Sequence, residues 1–103
     1  MIYEHRTYTI LPGKMEEYVE TFGKIIVPLF EKHGAKLVGV WQTEIGQSNE
    51  FVYILGFQDL NDRDRFFKSI RQDEEFNKYR QSGLRVAYTT SKIIKPTSYS
   101  PLN

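Results

Sequence analysis

The stretch that decides the fold is Ala35–Phe57, AKLVGVWQTEIGQSNEFVYILGF. Two runs rich in β-branched and aromatic residues, Ala35–Ile45 and Glu50–Phe57, flank the turn-forming Gly46-Gln47-Ser48-Asn49. Such a pattern predicts an antiparallel hairpin. Its alternation is unusual because neither face is polar. Strict alternation puts Leu37 and Trp41 on one face of the first strand, with Val38 and Val40 on the other. In the second strand Phe51, Tyr53, Leu55 and Phe57 oppose Val52 and Ile54. A sheet that is apolar on both sides needs cover on both sides. Helices supply one cover. A second copy of the sheet, stacked face to face, is the economical way to supply the other, so a homodimer through the sheet face is expected. The alternative is a monomer with one wide ligand groove.

Outward from the hairpin, Ile2–Ile10 alternates as a strand, and Leu11-Pro12-Gly13-Lys14 closes it. A helix is expected from about Lys14 to His33. Met15, Tyr18, Val19, Phe22, Ile25, Ile26, Leu29 and Phe30 form its apolar stripe, and Gly34 is its left-handed stop. Pro28 inside that pattern should kink or split it. A second helix should begin near Asn61, break at Asp73-Glu74-Glu75 and restart to Gln81. A fourth strand, Leu84 to about Ile94, precedes a tail with two prolines. The order β-α-β-β-α-β predicts an α+β, ferredoxin-like unit: one domain over residues 1–103, with a four-stranded antiparallel sheet and two helices on one face.

Composition narrows the function. The chain has 103 residues, net charge +1 and no cysteine. Interspersed charge of that size does not predict a field for a nucleic-acid backbone. The third strand carries rings but no Lys or Arg, unlike RNA-recognition sheets. No apolar run has the length of a membrane span. The first residues enter a strand pattern without a leader-like segment, so a cytoplasmic protein is expected. Two histidines without cysteine predict no metal site and no bound cofactor. No Ser sits in a nucleophile elbow, and no glycine-rich phosphate loop occurs.

Three polar residues share one face of the first strand: Glu4, Arg6 and Tyr8. An arginine held by a carboxylate and flanked by a phenol can bind a carboxylate or an enolate. The same Glu–Arg pair at a dimer interface could instead fix register and do no chemistry. His5, on the opposite face, reads as a hydrogen-bonded packing residue rather than a general base. His33 reads as part of a helix C-terminal cap.

The runs YEHRTYTILPGKMEEY, KHGAKLVGVWQTEIGQSNEFVYILGF and SKIIKPTSYSPL, in that order, resemble the NIPSNAP family over almost the whole chain. That resemblance implies a dimeric α/β barrel. The wider barrel superfamily includes cofactor-independent monooxygenases and isomerases, which implies a small-molecule pocket between sheet and helices. The candidate pocket residues are Arg6 for an anion, Tyr8 and Tyr53 as hydrogen-bond donors, and Trp41 as an apolar wall. A non-catalytic homodimeric interaction module is the alternative function. Tyr99 and Leu102 are apolar anchors in the tail, and the resemblance implies an ordered arm packed on the barrel, its own or the partner's.

Overall fold

A computed structural model describes residues 1–103. The alternating run Ile2–Ile10 is strand β1, and Lys36–Gln42, Glu50–Phe57 and Val86–Ile94 are β2, β3 and β4. The sheet order is β2-β3-β1-β4, and every neighbouring pair is antiparallel. Helices α1 (Met15–Thr21), α2 (Val27–Lys32), α3 (Leu60–Arg71) and α4 (Glu74–Gln81) occupy the two connections between strands. The α+β, ferredoxin-like order expected from the pattern is therefore present.

Register assigns the faces. Glu4 pairs with Leu55, Arg6 with Tyr53 and Tyr8 with Phe51, so these six side chains point toward the helices. Phe51, Tyr53, Leu55 and Phe57 are buried there, together with Tyr18, Phe22, Leu29, Phe30, Phe66 and Ile70 of the helical layer. The opposite, open face carries His5, Thr7, Val52 and Ile54.

The first hairpin strand departs from strict alternation. Leu37 pairs with Leu55, but Gly39 pairs with Ile54, because a β-bulge at Val38 inserts one residue. Everything after the bulge changes face. Val40, opposite Tyr53, now faces the helices, whereas Trp41, opposite Val52, faces away from them. Leu37 and Trp41 thus lie on opposite faces, not together as simple alternation predicts. Gly39 permits this: a Cβ there would come within 2.5 Å of the Trp41 ring, which lies over it. The strand also ends at Gln42 rather than Ile45. Thr43 binds Glu50 through its backbone N–H (3.0 Å) and its hydroxyl (2.7 Å), and the chain then leaves the sheet.

The long first helix does not break at Pro28. Five residues before α2, Phe22–Ile26, form a π-helical turn in which the Val27 N–H bonds to the Phe22 carbonyl. The wide turn takes up the irregularity ahead of Pro28, which sits in the first turn of α2, where its missing N–H costs little. At the other end Ala35 N–H bonds to Phe30 O and Gly34 N–H to Glu31 O, a Schellman ending with Gly34 at φ +87°. The second helical connection is capped by Asp59, not Asn61: its side chain accepts from the Asp62 N–H at 2.8 Å. Asp73 caps α4 as expected, accepting from Glu75 and Phe76.

The tail closes on itself through Ser100, which bonds to Thr97 and Leu102, and reaches the sheet where the Tyr3 hydroxyl donates to Asn103 O at 3.0 Å. Tyr99, expected as an anchor, is 86% exposed. No helix is long and apolar enough to cross a membrane.

Candidate functional site

The face of β1 that looked poor for a core is built into a charge cluster. Glu4 is fully buried. Arg6 Nη1 donates to one of its oxygens at 2.6 Å, and Arg63 Nε, from α3, donates to the other at 2.5 Å. Burial alone would raise the Glu4 carboxyl, but its hydrogen bonds to Arg63 and Arg6 outweigh that and hold it below the ordinary carboxylate value. One carboxylate between two guanidiniums leaves the cluster with net positive charge. The Glu4–Arg6 pair therefore does not lie on the open sheet face, where it could fix a sheet-to-sheet register. It ties β1 to α3.

Arg6 then turns toward the interior. Its Nε donates to the Tyr8 hydroxyl at 3.2 Å, and Tyr8 and Tyr53 share a hydrogen bond of 2.7 Å. Burial works against the charge on Arg6, but Tyr53, Tyr8 and Glu4 push its pKa further up, so it stays a cation. Burial and the Tyr8 neighbour push the Tyr53 phenol well above its usual value. The Phe67 ring packs against the guanidiniums of Arg6, Arg63 and Arg71, at 5.8, 4.8 and 5.2 Å from its centre.

Beyond these groups lies a cavity of about 460 Å³ between the sheet and the helical layer. That volume falls in the ~300–1,000 Å³ range of small-molecule sites. Phe22, Phe30, Phe66, Phe67 and Phe76 supply apolar walls. Arg6, Arg71, Arg80 and Arg85 supply positive charge, and Tyr8, Tyr18, Tyr53 and Tyr79 supply phenols. No Asp, Glu or His lines it. Tyr79 is anchored to Thr21 at 2.9 Å. Arg85 stacks on Tyr79 at 4.4 Å and donates to the carbonyls of Tyr79 and Gly83, closing the corner between α4 and β4.

Of the four sequence-selected pocket residues, the structure brings Arg6, Tyr8 and Tyr53 together. Trp41 stands apart on the opposite face, half exposed, because of the Val38 bulge. Arg63, Tyr18, Tyr79 and Arg85 were not singled out. Arg63 carried a readable signal: a cation in the first turn of a helix opposes the macrodipole and calls for a carboxylate partner.

The belongings of the chain follow from its pattern as well as its geometry. The family model described as NIPSNAP matches residues 3–101. The chain belongs to the NIPSNAP family. A Dictyostelium discoideum protein named as a NipSnap homolog is 32% identical over 62 residues, 60% of this chain and 25% of that protein. This chain thus spans well under two thirds of that relative's length. A crystal structure of an Agrobacterium tumefaciens protein is 30% identical, with a TM-score of 0.93 over 100% of both chains. A putative antibiotic biosynthesis monooxygenase from Nitrosomonas europaea shares the fold, with a TM-score of 0.68 at 11% identity over 93% of this chain and 98% of that one.

A second polar cluster in this NIPSNAP chain resembles a hydrolytic relay. His33 Nδ1 lies 2.6 Å from Ser69 Oγ, and His33 Nε2 lies 2.7 Å from Asp73 Oδ2. An acyl-transfer site also needs free donors for an oxyanion. The backbone N–H groups of Glu75 and Phe76, beside this cluster, are both taken by Asp73 Oδ1. Lys32 also donates to Asp73 Oδ2, at 3.0 Å. The arrangement is a splice: it fastens the C-terminus of α2 to the corner between α3 and α4.

Proposed function

We propose that this NIPSNAP chain is a homodimeric small-molecule binder that holds an organic anion with an apolar body in the cavity between sheet and helices. One observation carries the reading: four arginines and four phenols converge on an aromatic-walled cavity whose lining has no carboxylate. Such a lining favours a guest that is negatively charged and flat. It also bears on chemistry. No Asp, Glu or His is at hand to take a proton, and the Tyr18 and Tyr53 phenols are shifted upward. The cofactor-independent oxygenase or isomerase reading therefore applies to a substrate that enters already ionised, as a carboxylate, enolate or phenolate that Arg6 and its phenols stabilise.

Shape supports the dimer. The chain measures 41 × 36 × 20 Å, one sheet and one helical layer thick. Its accessible surface is 6947 Å². A compact monomer of its mass should expose about 6,100 Å². The excess is close to the ~800 Å² that each partner contributes to a standard interface. The open face offers apolar material for it: Val52 and Ile54 at the centre, with the exposed Trp41, Tyr88 and Ile94 around them.

Thermal unfolding with a panel of aromatic and aliphatic carboxylates and phenols tests the cavity. A ligand at about a hundred times its Kd adds about 2.7 kcal/mol, a rise in Tm of roughly ten degrees or more for a chain of this size. Arg6→Gln should reduce that rise. An unmoved Tm across the whole panel would show that the cavity takes no such anion.

A further inference from the structure

We infer that Tyr18 is a ligand-positioning residue. Together with Arg6 and the Tyr8–Tyr53 pair it forms a subsite for a carboxylate, in preference to the single oxygen of a phenol or phenolate. This inference rests on the cavity being a ligand site.

Tyr18 is 4% exposed and lies on the inner stripe of α1. Its ring is fixed edge-on to Phe51, centroids 5.0 Å apart. Its hydroxyl makes no hydrogen bond to the protein, yet it is not sealed off, since it opens onto the cavity. Buried phenols normally find a partner, so an unpartnered one at a cavity wall points to a guest. Burial, with Tyr8 and Tyr79 beside it, pushes the Tyr18 pKa far upward. Tyr18 is therefore a donor at any physiological pH.

The donor count selects the head group. Arg6 has five N–H bonds. One goes to Glu4 and one to Tyr8, which leaves three. Tyr8 and Tyr53 have two protons between them and use one in their mutual bond, so one remains. Tyr18 adds another. These donors face a wall without carboxylates. A carboxylate presents two oxygens with about four acceptor positions, whereas a phenolate presents a single oxygen. Only the carboxylate uses most of the donors on offer. The phenylalanine walls then suit a flat aromatic body behind it.

The test uses 2-naphthoate and 2-naphthol, which share a ring system and differ in the head group, with wild type, Tyr18→Phe and Tyr79→Phe measured by calorimetry and thermal unfolding. Wild type should bind 2-naphthoate more tightly than 2-naphthol. Tyr18→Phe should weaken 2-naphthoate about tenfold. It should leave the Tm of the free protein nearly unchanged, because the hydroxyl it removes makes no bond to the protein and opens onto the cavity. Tyr79→Phe, which loses the bond to Thr21, should lower the Tm instead. If Tyr18→Phe binds 2-naphthoate as tightly as wild type, the role of Tyr18 is overturned while the cavity reading stands. Preference for 2-naphthol overturns the carboxylate subsite. If wild type binds neither compound, the cavity reading itself fails, and this inference with it.

Discussion

Glu4 is the residue on which the interior charge depends. It is wholly buried and is the counterion of two guanidiniums that are only partly exposed. Removing one member of a buried ion pair strands the others, which costs more than the pair contributes. Glu4→Ala should therefore destabilise the chain by about 3 kcal/mol, reading the lower part of the range for broken buried pairs because Arg6 and Arg63 keep some access to water. Glu4→Gln keeps an acceptor and should cost less. Denaturant unfolding gives the number, and a loss below about 1 kcal/mol would mean that the two arginines find solvent readily. At this scale the sequence was half legible. Period two alone places Glu4, Arg6 and Tyr8 on one face, and that holds in the structure. It cannot say that Arg63, fifty-nine positions away, takes the other carboxylate oxygen. Nor can it say that Tyr18 differs from its stripe-mates Phe22 and Ile26 in opening a hydroxyl onto a cavity. Long-range partners are set by packing, and helical spacing reports only which side of the helix a residue is on.

The elements show the same division between local and tertiary signals. Gly34 and Asp73 are read correctly as a helix stop and a helix start because each acts on its own backbone within a few residues. The π-turn at Phe22–Ile26 and the bulge at Val38 are only half marked, since Pro28 and Gly39 signal an irregularity nearby but do not say where the phase of the pattern shifts. The bulge has the larger consequence, because it moves Trp41 out of the candidate pocket. The Asp73 splice gives a prediction at this scale. His33 and Lys32 hold the Asp73 carboxyl far below its usual pKa. A depressed native value means that its contribution to stability is complete above the unfolded-chain value of about 3.9 and is lost as the pH falls from there through the native value. Asp73→Asn preserves a capping side chain for α4 but removes the charge. The variant should melt below wild type at pH 7, the gap should hold down to about pH 4, and it should narrow from there toward about pH 2. A gap that stays constant over that range would show that the charge contributes nothing and that His33 and Lys32 are merely adjacent.

For the whole molecule, the two-faced hairpin is the signal that reaches furthest, because a sheet face has to be covered by something. The structure covers the Phe51–Phe57 side with helices and leaves the Val52–Ile54 side open. Ile54 is the best place to ask what covers it. It lies on β3, an interior strand, paired with His5 on one side and Gly39 on the other, and its side chain points away from the cavity. In a lone chain Ile54→Asp would set a carboxylate against water, at little cost to a core that lies on the other side of the sheet. Between two stacked sheets the same carboxylate would be buried without a partner, at a cost of several kcal/mol for each copy. The expected result by sedimentation is a wild-type dimer and an Ile54→Asp species of one chain mass, 12.2 kDa. The variant should keep its helical circular dichroism, and its cavity should still take 2-naphthoate, since Arg6, Tyr8 and Tyr53 face the opposite way. A wild type that sediments as a single chain would remove the dimer and leave the open face exposed. An Ile54→Asp dimer would place the interface elsewhere, most directly along the β4 edge, where Tyr88, Ile93 and Ile94 are exposed. Loss of ligand binding together with dissociation would mean that the cavity is shaped by the partner, so measuring both on one variant tells whether the two halves of the proposal stand separately.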